Sequence, residues 1–230
     1  MTTRSMSFVL LNAFIRSASQ VIMPRSTVKP AIESPQNGAQ ARAFELVVIG
    51  GSAGSIEALN VLLGGLPAAF TLAVMIVTHL PPDPPSYLTQ AFGHRCVLPV
   101  LEPDAGERIL PGRVHVAPPG YHMLVEDDRT VALSTDAPVR FSRPSIDVLF
   151  ESAAVVYRER LLAILLSGAN DDGAQGLTRV RALGGTTWAQ TPDTASSPEM
   201  PRAAIERGVA DFIYSPETMA RRLAALPASF

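Results

Sequence analysis

Short apolar runs alternate along this chain with stretches whose apolar residues recur every third or fourth position. Residues 44–49 (FELVVI) are rich in branched side chains and stop at Gly50-Gly51, the signature of a buried strand running into a turn. Residues 55–63 follow, with Ile56, Leu59, Leu62 and Leu63 on one helical face. A second apolar run at 72–78 (LAVMIVT) ends at His79 and a proline cluster, and 84–92 reads as a short helix carrying Leu88 and Phe92. Further on, the pattern predicts a helix at 145–156, a strand at 161–166 (LLAILL), a helix at 174–183 and a strand at 186–190. Helices at 201–207 and 216–226 flank a last strand at 209–214. Strands that are apolar on both faces and alternate with helices predict a doubly wound α/β domain, with a mostly parallel sheet covered on both sides.

The middle of the chain breaks this rhythm. Residues 112–117, 121–126 and 129–133 read as short strands joined by tight turns, with Asp127-Asp128 at a hairpin turn. Together they predict a small antiparallel flap beside the main sheet. At the other extreme, residues 24–43 are rich in Pro, Ser, Gln and Ala without a sustained apolar period, so 1–43 is expected to be a disordered tail or linker and 44–230 the folded domain. Within that leader, residues 8–15 (FVLLNAFI) follow Arg4 and precede Ser17-Ala18-Ser19, a faint resemblance to a signal peptide. Asn12 interrupts the run and Arg16 closes it early.

Composition narrows the functional classes. At 230 residues and 47% hydrophobic, the chain can bury one substantial core. A net charge of −2 supplies no broad basic face, so nucleic acid is not an expected partner. No stretch reaches the roughly 18–20 apolar residues needed to cross a bilayer, and no membrane insertion is expected. The single cysteine, Cys96, allows no internal disulfide and suits a reducing cytosol.

Candidate chemistry gathers where strands end. Gly50-Gly51-Ser52-Ala53-Gly54 stands between the first strand and the first helix. Small residues there permit a sharp turn that exposes a serine hydroxyl, and the amides opening the helix favour a developing oxyanion. The same turn also fits a plain glycine-rich connection or a phosphate cradle. A dinucleotide fingerprint would need glycine at 52 and 55, where this chain has serine, and an acidic residue where the second strand ends in Thr78-His79. A nucleophilic serine needs a base. Of four histidines, His79 ends the neighbouring predicted strand and so emerges at the same edge as Ser52, whereas His94, His115 and His122 lack that placement. The strand at 161–166 leads to Asp171 and Asp172, either of which could orient the imidazole while the other caps the next helix.

Taken in order, several segments resemble the catalytic domain of bacterial chemotaxis protein-glutamate methylesterases. They are IGGSAGSIEAL around Ser52, VTHLPP around His79, GERILPG at 106–112, VAPPGYHM at 116–123, RPSIDVLF at 143–150, LSGANDDGAQGL at 166–177, WAQ at 188–190 and MPRAAI at 200–205. The resemblance spans nearly everything from residue 44 onward. It implies a Ser52–His79–Asp172 triad, since the family's aspartate directly precedes the glycine, and it assigns oxyanion donation to the backbone amides of Ala53 and Ala169. The implied substrate is a glutamate γ-methyl ester on a cytoplasmic chemoreceptor helix, with glutamine deamidation as a related reaction. No metal and no organic cofactor are implied, and the expected location is the cytoplasm.

The chain departs from the family pattern at Ala53, Ser55 and Ala169, all of which keep their backbone donors. Regulated relatives also carry an N-terminal receiver domain that 43 residues are too few to form. A constitutively open enzyme, or control by a separate regulatory partner, is therefore expected. A non-enzymatic module docking on a receptor or signalling partner, and a nucleotide-binding domain using the Gly50–Gly54 turn, are the competing readings.

Overall fold

The computed structural model describes residues 43–79 and 87–227. The expected tail at 1–43 falls almost wholly outside these residues, as do the proline cluster after His79 and the start of the helix expected at 84–92.

Seven strands form one sheet in the order β3-β4-β2-β1-β7-β8-β9. They are β1 (Leu46–Gly51), β2 (Ala73–Thr78), β3 (Val100–Leu101), β4 (Val114–Val116), β7 (Leu161–Leu165), β8 (Thr186–Gln190) and β9 (Phe212–Tyr214). Every pairing among them is parallel. A separate antiparallel pair is made by β5 (His122–Val125) and β6 (Val131–Ser134). Among the described residues six α-helices complete the domain: α1 (Ser55–Gly64), α2 (Leu88–Gly93), α3 (Ile146–Tyr157), α4 (Ala174–Ala182), α5 (Glu199–Glu206) and α6 (Pro216–Ala224).

The strand pleat divides the core into two layers. Val47, Ile49, Val74, Ile76, Leu162 and Ile164 face Leu59, Leu62 and Leu63 of α1, Phe92 of α2, and Met219 and Leu223 of α6. Their chain neighbours Leu46, Val48, Met75, Val77, Leu161 and Leu165 face the other way, onto Ile146, Leu149 and Phe150 of α3, Leu177 of α4 and Met200 of α5. Because adjacent strand residues point to opposite faces, a strand apolar at every position needs helices on both sides. Each fully buried aliphatic side chain contributes roughly 1.5–3 kcal/mol, so these central strands hold the domain rigid where the site is built. The doubly wound fold read from the sequence is the observed one.

Two local expectations change, and one strand appears that the pattern did not predict. Residues 112–117 do not join the flap: β4 pairs in parallel with β2, Val74↔Val114 to Ile76↔Val116, and belongs to the main sheet. The two-residue edge strand β3 is too short to leave a periodic signal. Strand β9 begins at Phe212 rather than 209, because Asp211 is occupied with β8. Its carboxylate accepts from the Thr187 amide at 3.0 Å and pairs with Arg181.

Candidate active site

The strand order reverses around β1, with β2 on one side and β7 on the other. Open α/β sheets form their crevices at the carboxyl ends of such strands. Gly51 pairs with Thr78 in the β1–β2 register, and the His79 amide donates to Gly51 O at 3.3 Å. Ser52 and His79 are therefore the next residues on two neighbouring strands, whose backbones run about 5 Å apart. On the other flank, the Ser52 amide donates to Ser167 O at 2.8 Å, just beyond β7.

The turn after Ser52 is fixed by small residues. Gly54 has φ +74°, a left-handed conformation that a side chain would strain, and a Cβ there would strike Ser196 Cβ at 2.5 Å. Ser55 is fully buried, and its hydroxyl donates to Ser52 O at 2.7 Å. Ser167, also fully buried, donates from Oγ to Ala53 O at 2.7 Å, and its amide donates to Gln190 Oε1 at 2.9 Å. Hydrogen bonds thus hold the backbone on each side of Ser52 while leaving its side chain partly open.

The structure brings His79 and Asp172 together directly. His79 Nε2 lies 2.8 Å from Asp172 Oδ2. Asp172 is completely buried and accepts from four further donors: the Ile146 amide at 2.8 Å, and the Asp147 amide, the Ser145 hydroxyl and its neighbour Gly173's amide, each at 3.0 Å. Burial by itself would raise this carboxyl. The hydrogen bonds from His79 and from the amides of Asp147 and Ile146 outweigh it and hold the carboxyl below its usual range. An ionised Asp172 requires His79 to donate from Nε2, so the lone pair sits on Nδ1. Ser142 Oγ lies 3.4 Å from that nitrogen.

Asp171, the other carboxylate, faces outward instead. It binds Arg140 at 2.5 Å and Arg207 at 2.8 Å. Arg140 reaches back to Asp147 Oδ2 at 3.1 Å. Burial pushes the Asp147 carboxyl up, with the nearby charge of Asp172 adding to that, while the Gly176 amide and Arg140 oppose it.

Ser52 Oγ makes no hydrogen bond to His79 among the described residues; strand register sets the two residues at adjacent strand ends on one edge of the sheet. The amides of Ala53 and Ala169, both exposed residues, donate to no protein acceptor among the described residues. Of the remaining histidines, His94 is exposed, His115 is buried within β4, and His122 is buried in the flap. No group of three or more His, Cys, Asp or Glu among the described residues could hold a metal ion. No helix among them is long and apolar enough to cross a membrane.

Sequence reasoning missed Ser145, Ser142 and Ser167. It placed Ser145 at the start of α3, where it does stand as N-cap with extended backbone. Its hydroxyl, however, serves Asp172 and makes no cap bond to its own helix. Only its position beside Pro144 in RPSIDVLF hinted at a special role.

Known proteins resemble this chain over most of the described domain. The family model described as CheB methylesterase matches residues 47–223. A Leptospira interrogans protein, provisionally named protein-glutamate methylesterase/protein-glutamine glutaminase, is 42% identical over 177 residues, which are 77% of this chain and 92% of that protein. The protein-glutamate methylesterase/protein-glutamine glutaminase of Symbiobacterium thermophilum is 40% identical over 165 residues, 72% of this chain and 46% of its own length. The crystal structure of the Thermotoga maritima CheB methylesterase catalytic domain superimposes with a TM-score of 0.77 at 29% identity, covering 80% of this chain and all of that one.

Proposed function

This chain belongs to the CheB methylesterase family, and we propose that it hydrolyses glutamate γ-methyl esters on the cytoplasmic helices of chemoreceptors, with Ser52 as nucleophile, His79 as base and Asp172 as its orienting carboxylate. The observation that carries this reading is the 2.8 Å contact of His79 with a buried, five-fold hydrogen-bonded Asp172, one strand away from Ser52.

In this reading His79 Nδ1 takes the Ser52 proton as Oγ attacks the ester carbonyl. The ester carbonyl oxygen becomes an oxyanion, facing the amides of Ala53 and Ala169. Collapse breaks the C–O bond, and the imidazolium returns its proton to the departing methanol. Water, deprotonated by the same nitrogen, then attacks the acyl-serine carbonyl. The bond to Ser52 Oγ breaks, the imidazolium returns its proton to that oxygen, and the glutamate side chain leaves as its carboxylate. A glutamine side chain would follow the same course with ammonia leaving, in keeping with the double name of the relatives. Asp172 stays ionised throughout and stabilises the imidazolium. A cytoplasmic site of action follows from this substrate.

The test is methanol release from methylated receptors by wild type and Ser52→Ala. The variant is expected to lose about 10³-fold or more. Normal turnover by the variant would remove Ser52 from its assigned role.

A further inference from the structure

We infer that His122 is a positioning residue for the His79–Asp172 pair, acting through Ser145; this rests on the triad reading above and extends it. His122 lies on β5, outside the main sheet, and is only 2% exposed. Its Nδ1 accepts the Ser145 amide at 3.1 Å, and its Nε2 faces Ala137 O at 3.2 Å. An amide can only donate, so Nδ1 must be bare and Nε2 must carry the hydrogen given to Ala137. The two bonds fix one neutral tautomer and one ring orientation.

Ser145 is fully buried, leaving its amide no water to turn to. From this anchored residue the hydroxyl donates to Asp172 Oδ1, and the next two amides, of Ile146 and Asp147, donate to Oδ2 and Oδ1. Three of the donors that hold the Asp172 carboxylate thus sit on one short segment. His122 ties the first residue of that segment to the flap, while the Val125 amide donates to Ser152 Oγ further along α3. Asp172 Oδ2 in turn sets the imidazole of His79. Loss of the acceptor at Nδ1 would leave a buried amide unpaired and free the segment to shift, carrying the carboxylate with it.

The experiment separates the two ring nitrogens. In His122→Asn an amide oxygen can stand near the place of Nδ1 and still accept from Ser145. In His122→Gln the side-chain amide reaches the place of Nε2, serving Ala137 but leaving Ser145 without its acceptor. Labelling of Ser52 by a fluorophosphonate is resolved into a binding constant and a maximal rate, alongside thermal melts to establish folding and the downfield proton resonance of the His79 imidazole by NMR. The expected result is that His122→Gln lowers the maximal labelling rate about tenfold or more with binding unchanged, and shifts or loses the His79 resonance. His122→Asn keeps both near wild type. Equal behaviour of the two folded variants, whether both normal or both impaired, overturns the inference. Should His122→Gln fail to fold, His122→Asn decides alone, since a wild-type rate and resonance support the role and their loss refutes it. If wild type itself is not labelled at Ser52, the nucleophile assignment fails, while the NMR comparison still decides the role of His122.

Discussion

The oxygen of Asp172 that meets His79 Nε2 at 2.8 Å also accepts the Ile146 amide at 2.8 Å. One carboxylate therefore orients the imidazole and caps the first turn of α3 from a distant part of the chain. The positive end of the helix dipole and the imidazole both favour its charged form, which is why it stays ionised although the side chain is fully buried.

Replacing Asp172 tests both roles at once. Asp172→Asn keeps the shape but turns an amide NH₂ toward at least one of its donors. Esterase turnover is expected to fall about 10⁴-fold, and urea unfolding should show a loss of about 2 kcal/mol. A variant equally stable but inactive would restrict Asp172 to orienting His79.

Gly168 follows β7 at the point where the chain passes Ser52. A Cβ there would collide with the thioether end of Met200 and stand 3.0 Å from Ser52 Cβ. Met200 is flexible and can give way; Ser52, tied through its backbone, can do so only by moving the proposed nucleophile. Gly168→Ala is expected to reduce turnover about tenfold or more while its melting temperature changes little. Steady-state kinetics beside a thermal melt checks the split.

Stability should fall with acid in two separate windows. His115 is fully buried, and burial holds its imidazole below the ordinary value. The unfolded chain therefore takes up this proton first, near pH 6.5, and the native state loses stability as pH drops from there toward the folded value. Asp172, held low in the folded state, contributes stability above about pH 4 that disappears as pH falls further toward its folded value. His115→Leu should flatten the decline between pH 7 and 5.5 and leave the steeper loss below pH 4 in place, as read by urea titrations across that range. An unchanged slope in the upper window would place its origin elsewhere.

Much of this protein was fixed by its own sequence. Apolar runs such as 44–49 and 161–166 had to be buried on both faces, and the helical spacing of Leu59, Leu62 and Leu63 supplied the cover. Placing Ser52 and His79 at the ends of two such strands followed from where those runs stop, because a parallel sheet brings successive strand ends to one edge. Local pattern did not reach further. It could not separate Asp171 from Asp172, since the two are adjacent and chemically identical; only the packing of α3 against α4 buries one and leaves the other to Arg140 and Arg207. Nor could it draw β4 out of the flap, or show that His122, Ser145 and Asp172 share one chain of hydrogen bonds. Those contacts join residues 23 to 27 positions apart, and hydrogen bonds at that range depend on the closed fold, leaving no period in the chain to read.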